Sequence, residues 1–399
     1  MKILMINVVC GIKSTGRICT DIADVLEKQG HEVKIAYGRE NVPEKYKKYA
    51  YRIGNDFDIK LHGIKARIFD DSGFESKKIT KEFIKWIEEY NPDIIHLHNI
   101  HGYFINVEIL FQYLKNCGKK IVWTLHDCWA FTGHCSYFDY IQCDKWKERC
   151  YACPQKHEYP ESILLDNSAR NYMKKEKLFT KVNNMILVTP SRWLEDLLKE
   201  SYLKKYPVEV IHNGVDIKTF KFTQSNLRQS LNIEGRKVIL GVAAVWNRRK
   251  GLKDFLSLSK KLDNSFKIIL IGLSKKQIEL LPNNIIGINR TNNTEELAAL
   301  YSLADVYVNT TYEDNYPTTN IEAIACKTPV ISYDTGGSSE SAKLYGTVVK
   351  KGNIDELYNA IKEITDNKKK INFEIKNISV EQMVKHYLKI YFKEKGEKI

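Results

Sequence analysis

No run in the 399 residues approaches the ~20 consecutive apolar residues that a membrane-spanning helix needs. The opening stretch Met1–Cys10 carries one basic residue, Lys2, and its apolar run breaks into Lys13-Ser14-Thr15-Gly16-Arg17 without a cleavage-like site. It reads as a buried first strand rather than a signal peptide, which predicts a cytoplasmic protein. Low-complexity tracts and short-period repeats are absent, so a solenoid or a largely disordered chain is not expected. No nucleic-acid-binding motif of recognisable spacing occurs either. The formal charge of +13, from 62 basic and 49 acidic residues, is therefore not read as a nucleic-acid footprint. That charge permits attraction to anionic lipid or to phosphorylated substrates. The lysines of Met173–Phe179 read first as a solvated helix face. There is no P-loop and no GxGxxG fingerprint.

What is present suits two globular α/β domains. Hydrophobic residues make up 43% of the chain and charged residues 28%, ordinary for a globular protein, and the length exceeds one typical core. Short β-branched runs alternate with stretches of helical period, the pattern of βαβ units around a parallel sheet. In the first half the expected strands are Lys2–Val9, Val33–Tyr37, Ile94–His98, Ile121–His126 and Met185–Pro190. The second half gives Val208–His212, Lys237–Val242, Lys267–Gly272, Ile285–Asn289, Val306–Thr310, Val330–Tyr333 and Thr347–Lys350. Between them lie amphipathic helices such as Ile79–Tyr90, with Ile79, Phe83, Trp86, Ile87 and Tyr90 at three- and four-residue steps. The domains are expected at 1–205 and 206–378, with the junction near Lys205–Phe222 and a last segment at 379–399.

Open α/β sheets bind ligands at the carboxyl ends of their strands, beside helix N-termini, and the unusual residues gather there. Gly11–Ile18 follows the first strand. It reads either as a loop that brings amides to a phosphate or as a tight turn capped by Ser14 or Thr15. Asp314-Asn315-Tyr316-Pro317-Thr318-Thr319-Asn320-Ile321-Glu322 brackets a loop and a helix start with two carboxylates. Such a loop can aim amides at a diphosphate while the acids bond sugar hydroxyls. Thr319-x-x-Glu322 is equally the pattern of a capping box.

The stretch Glu313–Ser332 resembles the donor-binding segment of family-4 retaining glycosyltransferases. So do His212-Asn213-Gly214-Val215-Asp216, Arg248-Arg249-Lys250-Gly251 and the Gly336-Gly337 pair, and the resemblance spans essentially the whole chain. It implies the GT-B fold: two Rossmann-like, doubly wound domains facing across a cleft, with the donor mainly on the second. The final helix, here Val380–Phe392, would cross back to the first. The implied reaction moves a sugar from a nucleotide-diphospho-sugar to an acceptor hydroxyl with retention. Glu322 would bind the donor ribose and Asp314 would sit beside the donor sugar. Amides of Gly16 and of Tyr316, Thr318 and Thr319 would hold the diphosphate, in a donor-binding loop that includes Asn315 and Pro317. Lys250, with Arg249, would neutralise the leaving diphosphate, a role that needs no catalytic metal. The chain departs from the family pattern in having Asp314 where Glu is common. It also has Ala244 and Val245 where an arginine often stands.

His126 and Asp127 open the string His126-Asp127-Cys128-Trp129-Ala130-Phe131-Thr132-Gly133-His134-Cys135. This string resembles a subgroup of the family associated with exopolysaccharide and capsule assembly of the colanic-acid type. His126 would then orient acceptor or donor, or else serve as a packed core histidine. His98 and Asn99 are further acceptor-side candidates, with strand-end packing as the alternative. A saccharide acceptor, lipid-linked, is expected at the inner face of the plasma membrane. The basic, aromatic-bearing segments Arg170–Lys181 and Arg192–Tyr206 would dock there on anionic lipid.

Five of nine cysteines lie between Cys128 and Cys153, in a Cys-rich insertion expected at 128–155. Cys135, Cys143, Cys150 and Cys153 close with a Cys-x-x-Cys pair. In a cytoplasmic chain such a cluster suits one structural zinc better than disulfides, with His134 an alternative ligand and free buried thiols the plain reading. Cys10, Cys19, Cys117 and Cys326 read as small core residues.

Overall fold

The computed structural model describes residues 1–367 and 374–392. Thirteen strands form two parallel sheets, one in each of two compact units. The first sheet contains β1 (Lys2–Asn7), β2 (Glu32–Tyr37), β3 (Ala50–Arg52), β4 (Ile94–Leu97), β5 (Lys120–Thr124), β6 (Met185–Thr189) and β7 (Val208–Val210). Its order is β3-β2-β1-β4-β5-β6-β7. The second contains β8 (Lys237–Val242), β9 (Phe266–Ile271), β10 (Ile285–Ile288), β11 (Val306–Asn309), β12 (Val330–Tyr333) and β13 (Gly346–Val349), in the order β10-β9-β8-β11-β12-β13. Each sheet reverses its strand order once, between β1 and β4 in the first and between β8 and β11 in the second. Those reversals are where doubly wound sheets open a crevice for ligand.

The strands are apolar on both faces, as helix-covered parallel sheets require. In β8, Val238 and Leu240 join the core on one side, while Ile239 joins the core on the other. Alternation along a strand puts successive residues on opposite faces, so one hexapeptide serves two cores. In the first unit one apolar cluster runs from Leu4 and Ile6 through Phe83, Phe111 and Trp123 to Tyr206, while Ile3, Met5, Ile22 and Leu26 are buried outside it. The helix Lys77–Tyr90 buries Ile79, Phe83 and Ile87 of the expected stripe, with Thr80 beside them, and leaves Trp86 and Tyr90 half-buried.

The sequence expectations are corrected in several places. Val208–Val210 pairs with β6 and belongs to the first sheet, not the second. The units accordingly divide between His212 and Asn213, seven residues beyond the expected edge at 205. β3 was not anticipated. β4 and β5 stop at Leu97 and Thr124, so His98 and His126 stand just past the strand ends. Lys175, expected on a solvated face, is 1% exposed. The helix Val380–Phe392 is present, and of the expected segment 379–399, residues 393–399 lie outside those described. Met383 is the last residue grouped with the second unit, and Val384–Phe392 groups with the first. In the first unit Tyr391 bonds His96 Nδ1 through its hydroxyl at 2.7 Å. Tyr387 meets Thr124 at 3.0 Å, and Lys120 Nζ donates to the carbonyls of Ile390 and Tyr391. A lysine on the last carbonyls of a helix also opposes its negative end.

Candidate functional site

In the second unit, the polar residues collect at the carboxyl ends of β8 and β11, the neighbours across which strand order reverses. Lys250 ends the loop after β8, and Asp314 lies in the loop after β11. Their side chains form an ion pair in which each is about a fifth exposed, 21% and 18%. Burial by itself would raise the Asp314 carboxyl, but Lys250 and Arg249 outweigh it and hold the group below its ordinary range. Burial is also the main influence on Lys250 and, with Arg249, lowers its ammonium despite Asp314. Arg249 Nη1 donates to the Glu313 carbonyl at 2.6 Å, tying the two loops together.

Two glycines make the close approach feasible. Gly251 has φ +73°, and a Cβ there would lie 2.2 Å from the Thr310 carbonyl oxygen. Thr310 Oγ1 in turn donates to the carbonyls of Lys250 and Gly251, at 3.1 Å each. Gly336 has φ +51°, a Cβ there would fall 2.3 Å from the Asp314 carbonyl oxygen, and Gly337 N donates to that oxygen at 3.0 Å. Asp314 is thus clamped between the loops that follow β8 and β12.

From Asp314 the chain runs through Asn315 and Tyr316 into the helix Thr318–Ala325, whose N-cap is Pro317. No side chain caps this helix, so the Thr319–Glu322 capping box does not form. Glu322 is 2% exposed and instead accepts from the Tyr301 hydroxyl at 3.0 Å. The first turn of the helix carries its N–H groups and positive dipole end on the Asp314 side. Asn320 holds that turn in place, accepting from Asn309 Nδ2 at 2.8 Å and donating to the Ser338 carbonyl at 3.0 Å.

In the first unit, the candidates meet at the carboxyl ends of β1, β4 and β5. Asn7 Oδ1 accepts from Asn99 N at 3.2 Å, and His98 Nδ1 lies 3.0 Å from His126 Nε2. His98 Nε2 is buried without a hydrogen-bond partner. Burial pushes both imidazoles down, His126 to about 4 and His98 well below its ordinary value, so both are neutral near pH 7. Asp127 bonds His101 Nε2 at 2.9 Å and accepts from Trp129 N at 3.0 Å. Burial raises its carboxyl, but His101 outweighs that and holds it below the usual range. Gly16 does not sit in a loop. The helix Lys13–Lys28 starts three residues earlier without a side-chain cap, so neither Ser14 nor Thr15 caps it. A Cβ on Gly16 would meet Val9 Cγ2 at 3.0 Å and Gly11 N at 3.2 Å, so glycine here lets the helix close on the loop after β1. Of the four expected zinc ligands, all line one cavity, yet among the described residues no three His, Cys, Asp or Glu side chains converge as placed to hold an ion.

Sequence reasoning passed over Tyr301, the partner of Glu322, and His101, the partner of Asp127. They stand twenty-one and twenty-six positions from the carboxylates they bond, too far for a local signal.

The pattern described as Glycosyltransferase Family 4 matches residues 15–219, just over half of the chain. The chain belongs to glycosyltransferase family 4. A second pattern, Glycosyl transferases group 1, matches residues 223–378. WcaC of Escherichia coli (strain K12), named for a glycosyl transferase of colanic acid biosynthesis, is 23% identical over 62% of each chain. The processive diacylglycerol alpha-glucosyltransferase of Acholeplasma laidlawii is 28% identical over 37% of this chain and 48% of its own. The chain thus spans between 48% and 62% of the length of these curated relatives. Sucrose-phosphate synthase from Thermosynechococcus elongatus superposes with a TM-score of 0.70 at 17% identity, covering 98% of both chains. Anabaena HepE in complex with UDP does so with a TM-score of 0.67 at 15% identity, covering 98% of this chain and 99% of its own. These establish the fold of this family-4 member as GT-B, two Rossmann-like α/β units with parallel sheets.

Proposed function

We propose that this family-4 glycosyltransferase moves a sugar from a nucleotide-diphospho-sugar to a hydroxyl of a saccharide acceptor, with retention, in surface-polysaccharide assembly. The observation that carries this reading is the Lys250–Asp314 pair beside Arg249, feeding directly into the uncapped helix start at Thr318. Two cations and a helix N-terminus at one strand-order reversal suit a diphosphate. When the sugar–phosphate bond breaks, charge grows on the departing diphosphate. Lys250, Arg249 and the amides of Tyr316, Thr318 and Thr319 stabilise it there. Asp314 positions the donor sugar and Glu322 the ribose. In the first unit, His126, with His98, Asn99 and Asp127, forms the acceptor side. HepE, which shares the fold, is known in complexes with UDP and with UDP-glucose, which supports a donor of that class.

The acceptor is read as lipid-linked and the enzyme as peripheral on an anionic membrane surface. Two relatives named for diacylglycerol glycosides and one named for colanic acid support that reading, as does the formal charge of +13. No helix among the described residues is long and apolar enough to cross a membrane.

The test is nucleotide release from UDP-, GDP-, ADP- and TDP-sugars, with and without a lipid-linked acceptor, for wild type beside Glu322→Gln. One donor should be consumed by the wild type and spared by the variant, and NMR of the product should show the donor's anomeric configuration kept. Nucleotide binding without any transfer or hydrolysis across the panel would replace this reading with that of a binding protein.

A further inference from the structure

Between β5 and the helix Ser168–Phe179 the described chain forms no strand and no α-helix, only the short turns Trp129–Phe131, Asp139–Ile141 and Lys145–Lys147. Trp129, Phe131, Phe138 and Trp146 pack into the core of the first unit, Phe138 and Trp146 with ring centres 4.9 Å apart, but most of the segment between them is held by turns alone. A segment this long without a ladder of backbone bonds needs some other constraint.

Cys135, Cys143, Cys150 and Cys153 line a single cavity beneath it. The thiols of Cys135 and Cys153 are within hydrogen-bond reach of each other, and Cys150 lies near both Cys153 and Cys143. Two further features point at the cluster from outside it. Lys175 Nζ, fully enclosed, donates to the carbonyls of Trp129 at 2.9 Å and Thr132 at 3.1 Å and has no carboxylate partner. Burying an ammonium is costly; the Trp129 ring centre lies 3.5 Å from it, and the ionisable groups in its range are Cys150, Asp70, Cys135 and Asp127. His134, 2% exposed, bonds Asp70 through Nδ1, while its Nε2 is buried without a partner within electrostatic range of Cys153.

We propose that Cys135, Cys143, Cys150 and Cys153 bind one structural zinc ion that fixes this segment to the first unit. As placed, no three donors converge, so the thiols must turn about their Cα–Cβ bonds into the cavity they share. Each ligand loses its S–H proton to solvent as its bond to zinc forms, with no change of oxidation state. Four thiolates on Zn²⁺ leave a formal double negative charge. Lys175 and His134 are the buried groups that balance it, His134 oriented by Asp70 as histidines around metal sites commonly are.

The proposal is independent of the glycosyl-transfer reading and is tested without an activity assay. The full chain, purified reduced and without chelator, should carry about one zinc per molecule, as a closed structural site does. Cobalt in its place should give the visible bands of a tetrahedral thiolate site. Cys143→Ser and Cys153→Ser should each lose the metal or bind it at least about tenfold more weakly, and His134→Gln should keep it. Well under one zinc, with no cobalt bands after reconstitution of reduced protein, overturns the proposal whether or not the variants fold. So does a disulfide among the four, found by alkylation and mass spectrometry of protein kept under reducing conditions. Retention in Cys143→Ser with loss in His134→Gln overturns the tetrathiolate set.

Discussion

Replacing Glu322 separates the two tasks assigned to its carboxyl. In the donor-free chain Glu322 accepts from the hydroxyl of Tyr301, which is fully buried. Glu322→Ala leaves that hydroxyl without this acceptor, at about 1–3 kcal/mol, and removes a buried methylene for roughly another 1 kcal/mol. The expected loss is therefore about 2–4 kcal/mol. For a unit spanning Asn213–Met383, that corresponds to a fall in Tm of roughly 4–16 °C. Glu322→Gln keeps an acceptor for Tyr301 and should cost about 1 kcal/mol or less. Both variants lose a carboxylate contact to ribose of about 1.5–3 kcal/mol, or roughly 10- to 150-fold in affinity for the preferred nucleoside diphosphate. The assay pairs calorimetric unfolding with titration of UDP, GDP, ADP and TDP, and adds Tyr301→Phe to close a double-mutant cycle. A Glu322→Ala protein as stable as wild type would refute the structural role of the Tyr301 bond. A Glu322→Gln protein that binds every nucleotide as wild type does would refute the ribose assignment.

Gly251→Ala forces a side chain into φ +73° and to 2.2 Å from the Thr310 carbonyl. It should destabilise the second unit by about 2–5 kcal/mol, read as a lowered urea midpoint. Asp314 is held below its ordinary range, so the stability it contributes is present above the unfolded carboxyl value and is lost as pH falls through the folded one. Asp314→Asn should therefore flatten the acid limb of a Tm-against-pH curve below pH of about 4, and an unchanged limb would count against the ion pair. His126, pushed down to about 4, should titrate near that pH by NMR. Its lowered value means stability declines as pH drops from its ordinary range toward 4, and a midpoint at or above about 6.5 would show the imidazole is not buried as described.

The regular strands were legible because a doubly wound sheet writes its core as β-branched runs between amphipathic stretches. Ala50–Arg52 escaped because three half-buried residues at a sheet edge carry no periodicity. Val208–Val210 was placed on the wrong side of the junction because its apolar pattern is the same whichever sheet it joins; only pairing with β6 decides it. At the site, the two carboxylates stood out by type and spacing, whereas Lys250 and Arg249 came only from the family resemblance. The partner of Glu322 did not stand out: the Thr319–Glu322 pattern invites a capping box, and what pre-empts it is Tyr301, together with a proline at the N-cap. Lys175 misled for a related reason. Its neighbours Lys174 and Lys177 share its composition, and only the carbonyls of Trp129 and Thr132 draw it inward.

The route of the helix Val380–Phe392 has a consequence for how the molecule is made. Tyr387, Tyr391 and the carbonyls that receive Lys120 belong to the first unit, although all of the second unit is translated before them. A nascent chain that has reached His212 has every strand of its first sheet and still lacks the tyrosines that cover His96, which ends fully enclosed. The first half of the protein therefore cannot finish folding in order of synthesis. It must hold an open seam until the last turns emerge, and a fragment cut at the unit boundary would expose that seam permanently.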